Sequence, residues 1–258
     1  MRTFATKIIF MKNKNAVSLL PEKIRLNRFI SNSGLCSRRD ADEHIKNGLI
    51  YVNGKITTNL ATQVSPKDDV RFKNKKLTAE KKVYILMNKP KDYVTTVEDP
   101  HAERTVLDLL GPKLKERVYP VGRLDKSTTG VLLLTNDGEL TGKLTHPKYK
   151  RRKIYHVFLD KAVTKADFVK LTEGVELDDS MVVADAVSYV DAEDKSQIGI
   201  ELHSGQNRVV RRIFEKLGYD VKKLDRVYFA GLTKKNVPRG KWRFLSEKEI
   251  VMLKRGFF

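Results

Sequence analysis

The chain is expected to be α+β: a small N-terminal αα–β unit, then a mixed domain built on a largely antiparallel sheet. Three observations predict this. Between residues 24 and 76, two short segments with helical spacing precede short strands joined by strong turns. From Val83 onward, apolar strands and amphipathic helices alternate irregularly, without the βαβ rhythm of a parallel sheet. At 258 residues and 40% hydrophobic composition the chain can build one or two real cores, and no apolar run approaches the ~20 residues of a membrane span.

The elements follow in order. Residues 1–23 are expected to be a basic, disordered extension: Arg2, Lys7, Lys12 and Lys14 stand in the first 21 residues without an acid. That charge also suits a weak organellar targeting segment, and Met11 offers an alternative start, but the apolar core of a secretory signal is missing. Leu26, Phe29 and Ile30 mark one face of a first helix, ended by the turn residues 31–34. Ser37 caps a second helix, with Asp40 three residues on as in a capping box, and Gly48 stops it. Ile50–Val52 is a strand, Asn53-Gly54 a hairpin turn, and Val64 to Phe72 a later strand. The charged stretch from Lys73 to Lys82 leads out of this unit, with 77–82 as the linker proper.

The second domain spans 83–258. Val83–Met87 is a buried strand broken by Asn88-Lys89-Pro90, and Thr105–Leu110 a short helix closed by Gly111-Pro112. Val118–Val121 is a strand, and Val131–Leu134 reads as another, buried and closed by Asn136-Asp137-Gly138. Helices are expected at 139–144, 165–171 and 207–217, and strands at 154–159, 182–190 and 198–203. No internal repeat is visible.

Charge narrows the function. The net charge is +19, which points to a polyanionic partner such as RNA, DNA or an anionic membrane surface. The excess concentrates in two places: eleven cations against five acids in 24–76, and fifteen against five in 202–258. A membrane-surface protein would show a basic amphipathic segment with Trp and Phe on its apolar face, and a DNA reader a groove-fitting helix; neither is present. A single cysteine, Cys36, excludes a disulfide framework and fits a reducing compartment. The five histidines show no metal-ligand spacing, so no metal is expected.

Three segments could carry chemistry. In 122–138, Asp125 stands between Arg123 and Lys126 at the mouth of the 131–134 strand. A carboxylate held between cations stays ionised, and the same cations attract phosphates. The plainer reading is a polar turn with a structural ion pair. In 148–155, cations interleave with Tyr149 and Tyr155, a pattern that binds phosphate and stacks on a base. Tyr155 opens an apolar strand and reads equally as a core residue. In 204–212, Arg208, Arg211 and Arg212 cluster at a helix start, where anions are favoured; a solvated helix face is the alternative.

The 122–138 segment closely resembles the catalytic signature of the ribosomal pseudouridine synthases, the family of the 16S enzyme A and the 23S enzymes B, E and F. The resemblance implies that Asp125 of Gly-Arg-Leu-Asp is the catalytic residue. It implies that Arg123 enters the RNA stack vacated by a flipped base. His146-Pro147 and Lys153-x-Tyr155-x-Val157 resemble a second family motif, in which Tyr155 holds the detached uracil and Lys153 contributes to substrate binding. Gly205-x-Asn207-Arg208…Arg211-Arg212 resembles a third: Arg211 is the implied salt-bridge partner of Asp125, and Arg208 and Arg212 are implied RNA contacts. Val209 departs from the usual polar residue, which removes a hydrogen bond but leaves the Asp125–Arg211 pair. Leu224 is implied to pack beneath the uracil. Residues 24–76 resemble an S4 domain, with Arg25, Arg28, Ser37, Arg38, Arg39 and Lys46 as its RNA face.

Together these imply a monomeric enzyme of the bacterial cytoplasm that flips and isomerises one uridine of ribosomal RNA, 23S in preference to 16S, without a metal, nucleotide or redox cofactor. The competing reading is a catalytically silent S4-containing ribosome-assembly factor. It would share the basic surface but have no need of Asp125, Tyr155 and Arg211.

Overall fold

The computed structural model describes residues 23–96, 103–112, 114–178 and 180–256. The extension expected over 1–23 lies outside the described residues except for Lys23. The chain divides into two compact units, one ending at Glu80 and one beginning at Lys81.

In the first unit, β1 (Ile24–Arg25) leads into α1 (Leu26–Asn32) and α2 (Arg38–Lys46). The Ser37 side chain accepts from the Asp40 N–H and the Asp40 carboxylate accepts from the Ser37 N–H, the reciprocal capping box read from the sequence. β2 (Ile50–Val52) turns into β3 (Lys55–Ile56) through Asn53 and Gly54, both at positive φ, the conformation that type I′ hairpins require. The single strand expected over Val64–Phe72 is two. β4 (Gln63–Val64) pairs with β1, and β5 (Val70–Phe72) pairs with β2. Between them the Asp68 carboxylate accepts from the Ser65 N–H, a turn that halts the extended backbone. The stretch from Lys73 is not all linker: β6 (Lys75–Lys76) pairs with β5, and Leu77 is buried with its N–H bonded to the Val70 carbonyl. Leu26, Ile30, Ala41, Ile45, Ile50, Val64 and Val70 close one small core.

The second unit contains, in chain order, β7 (Tyr84–Lys89), β8 (Tyr119–Pro120), β9 (Thr128–Thr135), α3 (Gly138–Thr145), β10 (Lys153–Leu159), α4 (Lys165–Glu173), β11 (Val175–Leu177), β12 (Ser180–Val182), β13 (Ala186–Tyr189), β14 (Gln197–Leu202), α5 (Val209–Lys216), β15 (Val221–Phe229), β16 (Leu232–Thr233), β17 (Trp242–Phe244) and α6 (Glu247–Arg255). The main sheet runs β13-β14-β10-β15-β9-β7-β17, with β16 on β15 and β8 on β9. Its pairs are antiparallel except one: β15 runs parallel to β9, Leu224 beside Thr128 and Arg226 beside Gly130.

Helices cover both faces of this sheet, which explains why its central strands read as unbroken apolar runs. Along β9, Leu132 and Leu134 face one core with α4 and α5, while Val131 and Leu133 face another with α3 and α6. Each fully buried Leu or Val contributes roughly 1.5–3 kcal/mol.

Two expectations fail here. Thr105–Leu110 is a run of turns, with Thr105 bridged to Val94, rather than a helix. The Asp108 carboxylate accepts from the Thr105 N–H and Gly111-Pro112 leaves no room for a second helical turn. The strand expected over 182–190 breaks at 183–185: β12 belongs to a hairpin with β11, and β13 to the main sheet.

Candidate active site

The parallel β9–β15 pair places the ends of several elements around one cleft of about 1260 Å³ in the second unit. The 122–127 loop, which enters β9, forms one wall with Arg123, Leu124 and Asp125. Strand β10 contributes Lys153 and Tyr155, β15 contributes Leu224 and Arg226, and the start of α5 contributes Arg208 to Val210.

Asp125 is half-buried and sits between two guanidiniums. Its Oδ2 lies 4.0 Å from Nε of Arg211 and 3.9 Å from Nη1 of Arg208. Arg211 is buried because α5 turns Val210, Ile213 and Phe214 into the core and carries Arg211 with them. Its Nη1 donates to the Val221 carbonyl at 3.0 Å and its Nη2 to Ser127 Oγ at 3.0 Å. Its buried Nε has no hydrogen-bond partner and is directed to Asp125. At 4.0 Å the contact is an ion pair longer than a hydrogen bond. Arg208 caps α5 with a left-handed backbone, φ 49°, and splits its charge between Asp125 and Glu215.

Tyr155 is 9% exposed and its ring lines the cleft. Its cross-strand neighbour on β15 is Arg226, which is buried and donates Nε to the Val131 carbonyl at 2.9 Å. Burial lowers the Arg226 guanidinium, and the Tyr155 hydroxyl beside it opposes that shift. Leu224 is buried and forms part of the cleft lining. Arg123 is exposed on the rim. Lys153 lines the cleft but turns its ammonium to the Arg151 and His203 carbonyls, at 2.9 and 3.0 Å. Arg212 is half-buried on α5 and does not line the cleft. In the first unit, Arg25, Arg38, Arg39 and Lys46 are exposed and Arg28 is half-buried. Ser37 spends its hydroxyl on the α2 cap, and Lys46 pairs with Glu43 at 2.8 Å. Among the described residues no group of three or more His, Cys, Asp or Glu could hold a metal ion. No helix among them is long and apolar enough to cross a membrane.

The model of the RNA pseudouridylate synthase family matches residues 83–216, and that of the S4 domain matches residues 24–70. The chain belongs to the RNA pseudouridylate synthase family. It is 36% identical over 233 residues to the ribosomal large subunit pseudouridine synthase B of Bacillus subtilis, covering 89% of this chain and 95% of that one. It is 36% identical over 239 residues to the dual-specificity RNA pseudouridine synthase RluF of Escherichia coli, covering 91% and 80%. A crystal structure of a pseudouridylate synthase aligns with TM-score 0.64 and 27% identity, over 89% of this chain and 99% of that one.

The structure of this synthase also reveals residues that the sequence reading missed. Lys89 is fully buried at the end of β7, and its ammonium donates to the carbonyls of Pro90, Asp125, Lys126 and Thr128 at 2.8–3.2 Å. It gathers the Asp125 loop around one point. The only trace in sequence is a lysine ending a strand of apolar residues, a position where a charge is rarely buried without partners. Thr95 supports the same loop, its Oγ1 donating to the Leu124 carbonyl at 2.7 Å. Behind β9, the Asp225 carboxylate accepts from Thr129, Lys234 and Arg239, and Arg239 also donates to Asn88 Oδ1 at 2.7 Å. Burial pushes Asp225 upward, but the hydrogen bonds from Arg239 and Lys234 outweigh it and hold the carboxyl below its usual range.

Lys89→Met is therefore expected to lower kcat about 10²-fold, since a displacement on the order of 1 Å in a reacting group has that effect. Affinity for RNA should stay within about twofold, because Lys89 touches no solvent that RNA could reach. Single-turnover rates and filter binding on one RNA would check this; a wild-type kcat would refute the anchoring role. A pH dependence follows as well. Burial lowers the Lys89 ammonium to about 8 from its ordinary 10.5, with Asp125 and Asp92 opposing. Above pH 8 the neutral amine has one N–H fewer for the loop, so kcat should fall. Global stability should rise across pH 8 to 10.5, where the unfolded chain still binds the proton that the folded chain has lost. Urea midpoints and kcat measured on the same pH series would separate the two effects.

Proposed function

We propose that this synthase isomerises one uridine of 23S ribosomal RNA, and that Asp125, Arg211 and Tyr155 carry the reaction. The observation that supports this most is the Asp125 carboxylate held between Arg208 and Arg211 in a cleft that Tyr155 and Leu224 line with apolar surface. The name of the Bacillus subtilis relative, which covers nearly the whole chain, supports the large-subunit substrate.

The chemistry follows from where the reacting atoms lie. C5 and the glycosidic bond of a stacked uridine are out of reach, so the base is flipped into the cleft. Arg123, exposed on the rim, takes the vacated place in the RNA stack. Asp125 then attacks C1′ or removes a sugar proton, and the bond from C1′ to N1 breaks. The detached uracil turns between Tyr155 and Leu224 and rejoins through C5. In the attack route C5 displaces the Asp125 carboxylate from C1′; in the proton-removal route Asp125 returns the proton to the sugar. C5 then gives up its own proton while N1 regains one. Arg211, with Nε 4.0 Å from Oδ2, orients the Asp125 carboxylate for its step at the sugar. The first unit, with its exposed Arg25, Arg38 and Arg39, anchors the RNA outside the catalytic domain of 83–258. The enzyme acts as a monomer in a bacterial cytoplasm.

A pseudouridine map at single-nucleotide resolution tests the substrate. Carbodiimide adducts and reverse-transcription stops would be compared across 23S, 16S and transfer RNA from a wild-type and a deletion strain. Transfer RNA is included as an RNA outside the ribosome. One 23S stop should vanish in the deletion. Loss confined to 16S or transfer RNA would overturn the 23S assignment, and no change anywhere would overturn the rRNA reading.

A further inference from the structure

A second, smaller cavity of about 320 Å³ opens beside the catalytic cleft and is continuous with it, since Lys150, Arg151 and His203 line both. Its floor comes from the paired ends of two strands. Arg152 precedes β10, and Glu201 lies on β14 opposite Ile154. Asp185, just before β13, donates its N–H to the Glu201 carbonyl at 2.9 Å. The rim is Tyr149, in a single 3-10 turn over Pro147–Tyr149, with 38% of its surface exposed.

The charge pattern separates this cavity from a phosphate site. A phosphate pocket is lined by cations with spare charge. Here Arg152 Nε lies 3.2 Å from Glu201 Oε1, and His203 Nδ1 lies 2.7 and 2.9 Å from the two Asp185 oxygens. Lys150 and Arg151 also line the wall, so what distinguishes the cavity is its two carboxylates, which accept hydrogen bonds from the N–H groups of a base edge, groups a phosphate lacks. Tyr149 supplies a stacking surface. The Lys148 ammonium and the Arg151 guanidinium lie 4.7 and 5.3 Å from its ring centroid. Such exposed cation–π contacts are weaker than base–aromatic stacking, so an arriving base displaces a cation from the ring.

We propose that this cavity is a second nucleobase subsite. It takes an unstacked, amino-bearing base (guanine, adenine or cytosine) near the target uridine, stacks it on Tyr149 and reads its amino group with Glu201 and Asp185. Uracil is disfavoured because it has no amino group and its single N3–H is flanked by two carbonyl oxygens that would face the carboxylates. The inference rests on the RNA synthase reading and assigns that enzyme a determinant of site choice outside the reacting centre.

The test uses the full-length enzyme and a short RNA carrying the target uridine, in which each flanking nucleotide in turn is made abasic. Wild type, Tyr149→Leu and Tyr149→Phe are compared. One abasic position should raise the wild-type KM about tenfold, the scale of a lost stacking contact, with kcat at saturating RNA unchanged. Tyr149→Leu should raise KM to the same degree on intact RNA and add nothing at that position, while Tyr149→Phe behaves as wild type. Uridine placed there should reproduce the abasic loss, and Glu201→Gln should relax that discrimination. The proposal is overturned if no flanking position responds, or if the Tyr149→Leu and abasic losses multiply. Failure of wild type to convert the intact RNA would overturn the parent reading, and this one with it.

Discussion

Asp125→Asn should lower single-turnover isomerisation by at least about 10⁴-fold, the scale on which removal of a reacting side chain acts. The substitution preserves shape and removes the charge on which either attack at C1′ or proton removal depends. Its effect on binding has a definite sign. Asp125 is an anion in a cleft that receives a polyanion, with Arg208 and Arg211 within 4.0 Å. Removing its charge frees both guanidiniums for phosphate, so RNA affinity should hold or tighten. Asp125→Glu keeps the charge but moves the carboxylate by one methylene, and should also be severely slowed. Tritium release from RNA labelled at uridine C5, with filter binding on the same RNA, measures both quantities. A variant that turns over near the wild-type rate would remove Asp125 from the mechanism, and one that fails to bind RNA would show that its role is structural.

Gly130→Ala should strongly destabilise the catalytic unit, costing more than about 4 kcal/mol. Gly130 lies within β9 at φ +107°, a backbone conformation that side chains rarely tolerate. An added Cβ would lie 2.1 Å from the Arg226 carbonyl oxygen, 2.7 Å from the Arg226 nitrogen and 2.5 Å from Asp225 Oδ1. Two of these are backbone atoms of β15, held parallel to β9 at this point, and cannot rotate away. The cost compares with a total stability of roughly 5–15 kcal/mol. Gly138→Ala is the matched control: it opens α3, and its Cβ would meet nothing within 4 Å. That change should be neutral or stabilising by up to about 1 kcal/mol. Urea midpoints of the two variants decide the matter; equal midpoints would refute the close approach of β15 to β9.

Much of this architecture was legible before any coordinates. The Ser37 capping box, the Asn53-Gly54 hairpin and the apolar run of β9 are local signals, set by a few neighbouring residues and their hydrogen bonds. Other elements were misread because their outcome depends on distant partners. Val64 leaves the strand expected to contain it because β1, some forty residues earlier, supplies its pairing partner. Val182 joins a hairpin with β11 rather than the main sheet. The helix expected over Thr105–Leu110 yields to a bridge with Val94.

The candidate site divides the same way. Asp125, Tyr155 and Arg211 stand in three separate segments, each conspicuous in sequence for its residue types and spacing. The sequence by itself determined those chemical groups, the basic charge that selects a polyanionic partner, and the local caps and turns. Only the tertiary structure decided which groups meet. The parallel β9–β15 pair, invisible to any local pattern, brings Leu224 and Arg226 alongside the loop of Asp125. The core-facing stripe of α5 carries Arg211 under that loop, and the fully buried Lys89 fixes the loop from behind. A buried lysine is unfavourable until four carbonyls converge on it, and that convergence exists only once the strands have paired.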